Sequence, residues 1–229
     1  MNKGFDVYTD FSDKVVIQKS NLKNFIKKTI LSRKKYNKFF NGYIGFFSYE
    51  LCCELIGVKI PNQQSNNFYK SIFYKPQTVI KIRRNIRIQS ILSNFKSLDN
   101  LKKSKKKYVY QKKFTVNLSL NQYSKLFDKF IKKIKRGETY QIKICQKYRN
   151  NSRIDPVKFF WNLMKINKSP ESFVIRDLDY SIVSCSPETL IEKKNNMITT
   201  KPIAGTLKKT SHISKSKAKI YFQNNEKES

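Results

Sequence analysis

The sequence predicts an α+β fold of mostly antiparallel sheets with flanking helices. Three observations carry this. Residues 119–137 repeat apolar side chains at the helical period. Residues 78–92 alternate apolar and basic side chains with period 2, with Val79 out of phase with Ile80, Ile82, Ile86 and Ile88, and split near Arg84-Asn85. Residues 172–201 hold four short strand-like runs separated by turn residues. Strands that follow strands without intervening helices exclude a doubly wound parallel sheet.

Taken in order, residues 14–17 form a short apolar run, and the basic stretch 21–36 is predicted as a helix. Gly42 and Gly45 allow tight backbone packing beside Tyr43, Ile44, Phe46 and Phe47. Ser48 is an N-cap for a short helix carrying Leu51, Cys52 and Leu55, and Gly57 stops it. Residues 78–92 read as a basic β-hairpin with one solvated face. Residues 93–113, with five lysines between 102 and 107, read as a solvated linker. Ser119 and Gln122 form a capping box. Behind it Tyr123, Leu126, Phe127, Phe130, Ile131 and Ile134 share one helix face, and Gly137 ends the helix. Residues 139–149 alternate and are predicted as a strand. Asp155-Pro156 opens a second helix, with Asp as cap and Pro at the first position. Strands are predicted at 172–176, 180–185, 190–193 and 197–201, and a polar helix near Ser214.

The chain has 229 residues, which suits one sizeable domain or two small ones. The linker divides it into 1–113 and 114–229. The net charge is +32, from 48 Lys and Arg against 16 Asp and Glu. Such a field attracts phosphates. However, 40 of the 48 are Lys, Ala occurs twice, and Lys, Asn and Ile abound. A/T-rich codons produce that bias whatever the function, and a nucleic-acid binder favours Arg for bidentate contacts. A basic nucleic-acid-binding module gripping through the 78–92 hairpin is the alternative of another class; a nucleic-acid partner is not expected. No apolar run reaches 18 residues, and the N-terminus has no apolar core of a signal peptide, so a cytoplasmic protein without a membrane partner is expected. Cys52, Cys53, Cys145 and Cys185 lack metal-site spacing, and His212 is the one histidine. No P-loop, dinucleotide-binding or nucleophile-elbow motif is present.

Several blocks nevertheless occur together. They are Gly42-Tyr43-Ile44-Gly45-Phe46, Ser48-Tyr49-Glu50, Gly137-Glu138-Thr139-Tyr140-Gln141-Ile142, Asn167-Lys168-Ser169-Pro170, Ser184-Cys185-Ser186-Pro187-Glu188 and Lys201-Pro202-Ile203-Ala204-Gly205-Thr206. In this order and spacing they resemble the chorismate-utilising enzymes, component I of anthranilate synthase and of aminodeoxychorismate synthase. The resemblance covers roughly residues 40–229. It implies an anthranilate synthase component I-like fold, present here as an incomplete, N-terminal fragment.

The last block makes physical sense as a substrate turn. Pro202 ends a strand, Gly205 lets backbone approach a ligand, and Thr206 offers a hydroxyl and an N–H to an anionic group. The resemblance places Gly205 and Thr206 against chorismate, with Pro202, Ile203, Ser186, Pro187, Glu188 and Gln141 as the supporting motif. Ala204 stands where the aminodeoxychorismate branch commonly carries a nucleophilic Lys, which favours direct attack by ammonia and hence anthranilate synthase. Residues 140–144 and 48–57 look more like the aminodeoxychorismate branch. Pro170, Glu171 and Ser172 align with the loop that holds inhibitory tryptophan, but Glu171 and Ser172 replace its aromatic and Met pair, so tryptophan feedback is not expected. The resemblance further implies Mg²⁺ as cofactor, with no metal ligand in this chain, and a glutamine amidotransferase component II delivering ammonia. It puts the metal-holding Glu residues beyond the position matching Ser229, so the isolated chain is expected to be inactive.

Overall fold

The computed structural model describes residues 4–32, 42–60, 71–93, 109–111, 113–203, 205–208, 210 and 213–224. The chain divides into two compact units, Met1–Lys103 and Ser104–Ser229. The lysine-rich segment 102–107 lies outside the described residues.

The first unit is built on a long central strand. β1 (Phe5–Val16) precedes α1 (Lys19–Ser32), then come β2 (Ile44–Phe47), α2 (Tyr49–Leu55), β3 (Ser71–Ile82) and β4 (Ile86–Ser90). β3 pairs antiparallel with β1 along its length, from Phe5↔Ile82 to Val16↔Ile72. Its other edge is shared end to end by β2, from Ile44↔Tyr74 to Phe47↔Ser71, and by β4, from Thr78↔Ser90 to Ile82↔Ile86. This central position buries both faces of β3: Thr78, Val79 and Ile80 are all buried although they alternate in direction. The predicted phase change across Val79 and Ile80 is therefore two buried faces, and the solvated part of the hairpin is β4.

Two features of this sheet depart from the sequence reading. β1 runs twelve residues where only 14–17 is predicted, and β3 begins seven residues before Thr78. Both strands carry irregularities that hide the period. Asp10 has φ 53, and the register slips between Phe11 and Asp13, leaving an extra residue beside Pro76. A bulge there tolerates the N–H that proline lacks.

The core is Ile17, Leu51, Cys53, Ile72, Tyr74, Val79 and Ile80. Phe25 of α1 packs on Tyr43 and Phe73, with ring centres 5.0 and 5.2 Å apart, and Phe47 stacks on Phe73 at 4.8 Å. Ser48 caps α2 by accepting from the Leu51 N–H, and its own N–H donates to the Ser71 hydroxyl. Gly57 beyond α2 and Gly137 beyond the next helix take φ +77 and +73, the left-handed stop predicted for both.

Tyr43 donates from its hydroxyl to Asp13 Oδ2 at 2.9 Å. Burial, then the hydrogen bond and charge of Asp13, push its phenol up to about 12 from 10.0. The neutral phenol thus favours the folded state. That stabilisation is complete below pH 10 and is lost as pH rises through about 12. Urea midpoints of the chain are expected to fall across this window. In Tyr43→Phe the fall is smaller, leaving the share of Tyr8, which burial also raises. An unchanged slope counts against the assignment.

The second unit opens with β5 (Thr115–Val116), which pairs with β6 (Tyr148–Arg149). Between them lies α3 (Leu120–Lys135) with the predicted capping box complete. Residues 139–147 are not a strand. Their alternation is real, but no strand among the described residues supplies the ladder partners that alternation needs. α4 (Pro156–Ile166) starts at Asp155, whose carboxylate accepts from Val157 and Lys158 N–H groups, with Pro156 at the first turn. It packs on the hairpin of β7 (Glu171–Arg176) and β8 (Ser181–Ser186). β9 (Thr189–Lys194) and β10 (Met197–Lys201) form a second hairpin. Its two-residue turn holds Asn195 at φ 51, a conformation Asn adopts with little strain. Ser214 caps α5 (Lys215–Gln223). The observed α+β architecture, with antiparallel ladders throughout, is the one the sequence predicts.

Candidate functional site

Three of the blocks singled out in sequence, those at 167–170, 184–188 and 201–206, approach one another at one end of the two hairpins of the second unit. Strand register does this. In β7–β8, Glu171 stands opposite Ser186, and Ser172 opposite Cys185. In β9–β10, Lys201 stands opposite Thr189, after a register shift between Thr199 and Lys201. Ser186 ends β8, Thr189 starts β9, and Lys201 ends β10 just before Pro202. So residues 170–172, 186–189 and the turn beginning at Pro202 lie at neighbouring strand ends.

Side chains bind these ends together. The Thr189 hydroxyl donates to Glu171 Oε1. The Ser186 hydroxyl lies 3.5 Å from the Glu188 N–H and 3.4 Å from the Glu188 carbonyl, closing the Ser186-Pro187-Glu188 turn on itself. The Ser172 hydroxyl donates to the Ser169 carbonyl at 2.9 Å, and the Ser169 hydroxyl, on a buried residue, reaches Asn167 Oδ1 at 2.7 Å. These bonds fix the Asn167-to-Ser172 loop locally.

Charge secures the foot of the turn that starts at Pro202. Glu192 lies between Lys194 Nζ at 2.9 Å and Lys201 Nζ at 3.3 Å. The hydrogen bond from Lys194, then that from Lys201, holds its carboxyl below the usual carboxylate range, and the carboxylate in turn raises Lys194. All three groups are at the surface, where such pairs stabilise little. Their effect is to orient Lys201 at the start of the turn.

Beyond Lys201, Pro202 and Ile203 are exposed, Gly205 is half-buried and Thr206 is exposed. Ala204 lies outside the described residues. Gln141 is not gathered in: it is exposed on the 139–147 segment, where its carbonyl accepts from the Thr139 hydroxyl. No hydrogen bond among the described residues links it to Ser186 or Lys201. The sequence reading did not single out Thr189 or Glu192 as members. Their signal is register, which composition does not carry.

Two concave surfaces lie elsewhere. One runs along α3, lined by Lys125, Asp128, Lys129, Lys132, Lys133 and Arg136, and another by Lys81, Arg87, Ile88 and Gln89. Each is a groove between exposed basic side chains of one element or hairpin and holds none of the blocks above. Among the described residues no group of three His, Cys, Asp or Glu side chains stands close enough to hold a metal ion. They therefore do not build an oxygen cage for Mg²⁺. No helix among the described residues is long and apolar enough to cross a membrane.

Comparison with known proteins bears on this arrangement. A family described as chorismate binding enzyme matches residues 4–229. Anthranilate synthase component 1 of Saccharolobus solfataricus is 24% identical over 171 residues, 73% of this chain and 39% of that protein. Aminodeoxychorismate synthase component 1 of Bacillus subtilis is 27% identical over 93 residues, 41% of this chain and 20% of that protein. The crystal structure of anthranilate synthase component I from Streptococcus pneumoniae matches with a TM-score of 0.69 at 16% identity, over 86% of this chain and 53% of that one. That likeness is one of fold. The chain thus spans about half or less of the length of the proteins it matches.

Proposed function

The chain belongs to the chorismate binding enzyme family, and on that premise we propose that it is part of component I of an anthranilate synthase. The whole protein would convert chorismate and ammonia to anthranilate and pyruvate, with a glutamine amidotransferase component supplying the ammonia. The observation that supports this reading is the convergence of residues 186–189 with the turn that starts at Pro202, through the Thr189↔Lys201 register. Gly205 and Thr206 follow that turn in sequence, and small size and a hydroxyl suit an anionic substrate. Ala204 favours ammonia over a protein amine as the nucleophile, because a methyl side chain cannot attack the ring.

Aminodeoxychorismate synthase is the second reading. The Tyr140-Gln141-Ile142-Lys143-Ile144 block and relatives of that name favour it. Product analysis separates the two. The protein that carries this chain, given chorismate, ammonium and Mg²⁺, is expected to release fluorescent anthranilate and an equal amount of pyruvate. Aminodeoxychorismate without pyruvate favours the second reading, and neither product overturns both. The 229 residues alone are expected to give no turnover, which anthranilate formation by that chain would disprove.

A further inference from the structure

We propose that Glu171 is a positioning residue that ties the Asn167-to-Ser172 loop to the substrate turn through Thr189. The proposal rests on the chorismate-binding reading above. It goes beyond it by giving a role to a side chain that the reading leaves idle.

The path is short and every link is a recorded contact. Ser169 is buried, and its carbonyl and hydroxyl engage Ser172 and Asn167, so the loop is anchored at its base. Glu171 follows, at the first position of β7, opposite Ser186. Its carboxylate leaves the β7–β8 ladder and accepts the hydroxyl of Thr189, the first residue of β9. Thr189 in turn faces Lys201, and Pro202 comes next. One carboxylate therefore joins the end of one hairpin to the end of the other, beside the turn that carries Gly205 and Thr206. The register shift between Thr199 and Lys201 makes such a tie useful. A ladder with a bulge two residues from its end holds that end loosely, and a hydrogen bond to a charged group is among the stronger side-chain bonds.

The geometry also explains why an acidic side chain serves here. At this strand end the acceptor must reach across to the next hairpin, and the donor is a hydroxyl. A carboxylate or an amide oxygen does this; a methyl or an aromatic ring does not. Glutamine should therefore preserve the tie and alanine should not.

The test uses the whole protein that carries this chain, with Glu171→Ala, Glu171→Gln, Thr189→Val and the double variant Glu171→Ala/Thr189→Val. Amide hydrogen exchange at the paired end of β10, Thr199 to Lys201, is expected to quicken about fivefold in Glu171→Ala and in Thr189→Val, the worth of one net hydrogen bond. The double variant should show no more than either single change, Glu171→Gln should restore the slow rate, and residues 174–183 should not respond. In turnover the same variants should raise KM for chorismate about fivefold with kcat within about twofold, as loss of positioning in the ground state does. Unchanged exchange in both single variants overturns the tie. Quickened exchange with unchanged KM overturns the positioning role. Strictly additive effects show that the two side chains act separately, which also overturns it. If the unaltered protein forms neither product, the family-based activity fails, while the exchange measurement still decides the tie.

Discussion

Gly45→Ala is expected to lower the unfolding free energy of the first unit by about 3 kcal/mol or more, the upper end of overpacking costs. Gly45 sits in β2 opposite Phe73 of the central strand. A Cβ built there lies 2.0 Å from the Ile72 carbonyl oxygen and 2.7 Å from the Phe73 Cα. Both are backbone atoms of β3, which is fixed on its other edge by β1. No rotamer change relieves that contact, so β2 must move away. β2 carries Phe47 against Phe73 and leads into the α2 cap, where Leu51 is fully buried. Displacement therefore costs packing as well as ladder bonds. Total stabilities of small domains are about 5–15 kcal/mol, so the loss is a large share. Gly57→Ala is the control. It has open space around it and φ +77, so it costs only the left-handed conformation, about 1–2 kcal/mol. Urea unfolding followed by circular dichroism compares them. A loss below about 1 kcal/mol in Gly45→Ala would show that β2 can shift freely, contrary to the packing described.

Local features were readable from the residues and non-local ones were not. The Ser119–Gln122 capping box, the Asp155-Pro156 start, the Ser48 and Ser214 caps and the Asn195 turn each depend on residues within a few positions. Short-range hydrogen bonds decide such features, so spacing suffices. β1 was legible only at its end, because Asp10, the bulge and polar residues break its alternation. The strand expected at 139–149 forms only at 148–149, and its first nine residues show the opposite failure: alternation was present and strand partners were not. The site divides the same way. Its blocks were visible as sequence, with Gly205 and Thr206 among them. Their meeting at the ends of β8, β9 and β10 follows from register, and the Glu171–Thr189 bond spans two hairpins. No local pattern encodes either. The +32 charge, prominent in the sequence, lines two grooves that hold none of the site blocks.

Residues 104–229 expressed alone are expected to show secondary structure without a cooperative unfolding transition. Among the described residues, the buried apolar ones Ile17, Leu51, Cys53, Ile72, Tyr74, Val79 and Ile80 all belong to the first unit. Among the described residues of the second unit, Ser169 is the buried one. Its larger apolar side chains remain in contact with solvent: Leu120 is 82% exposed on α3, Leu190 81% on β9 and Ile166 86% at the end of α4. Folding must offset about 1–2 kcal/mol of backbone entropy per residue. Burial returns about 25 cal/mol per Å² of apolar area, and here that area is removed from water only in part. Capped helices and tight hairpins form locally under these conditions, but nothing locks them into one packing. The expected signature is helical far-ultraviolet dichroism, weak near-ultraviolet dichroism, binding of a hydrophobic dye and a broad thermal slope. Residues 1–103, with a packed core on a four-stranded sheet, should instead give a sigmoidal transition without dye binding. A sharp transition in 104–229 with no dye binding would mean that these apolar faces cover one another. Otherwise the exposed face of α3 and the alternation of 139–147 are surfaces that need a covering polypeptide before this unit settles into one packing.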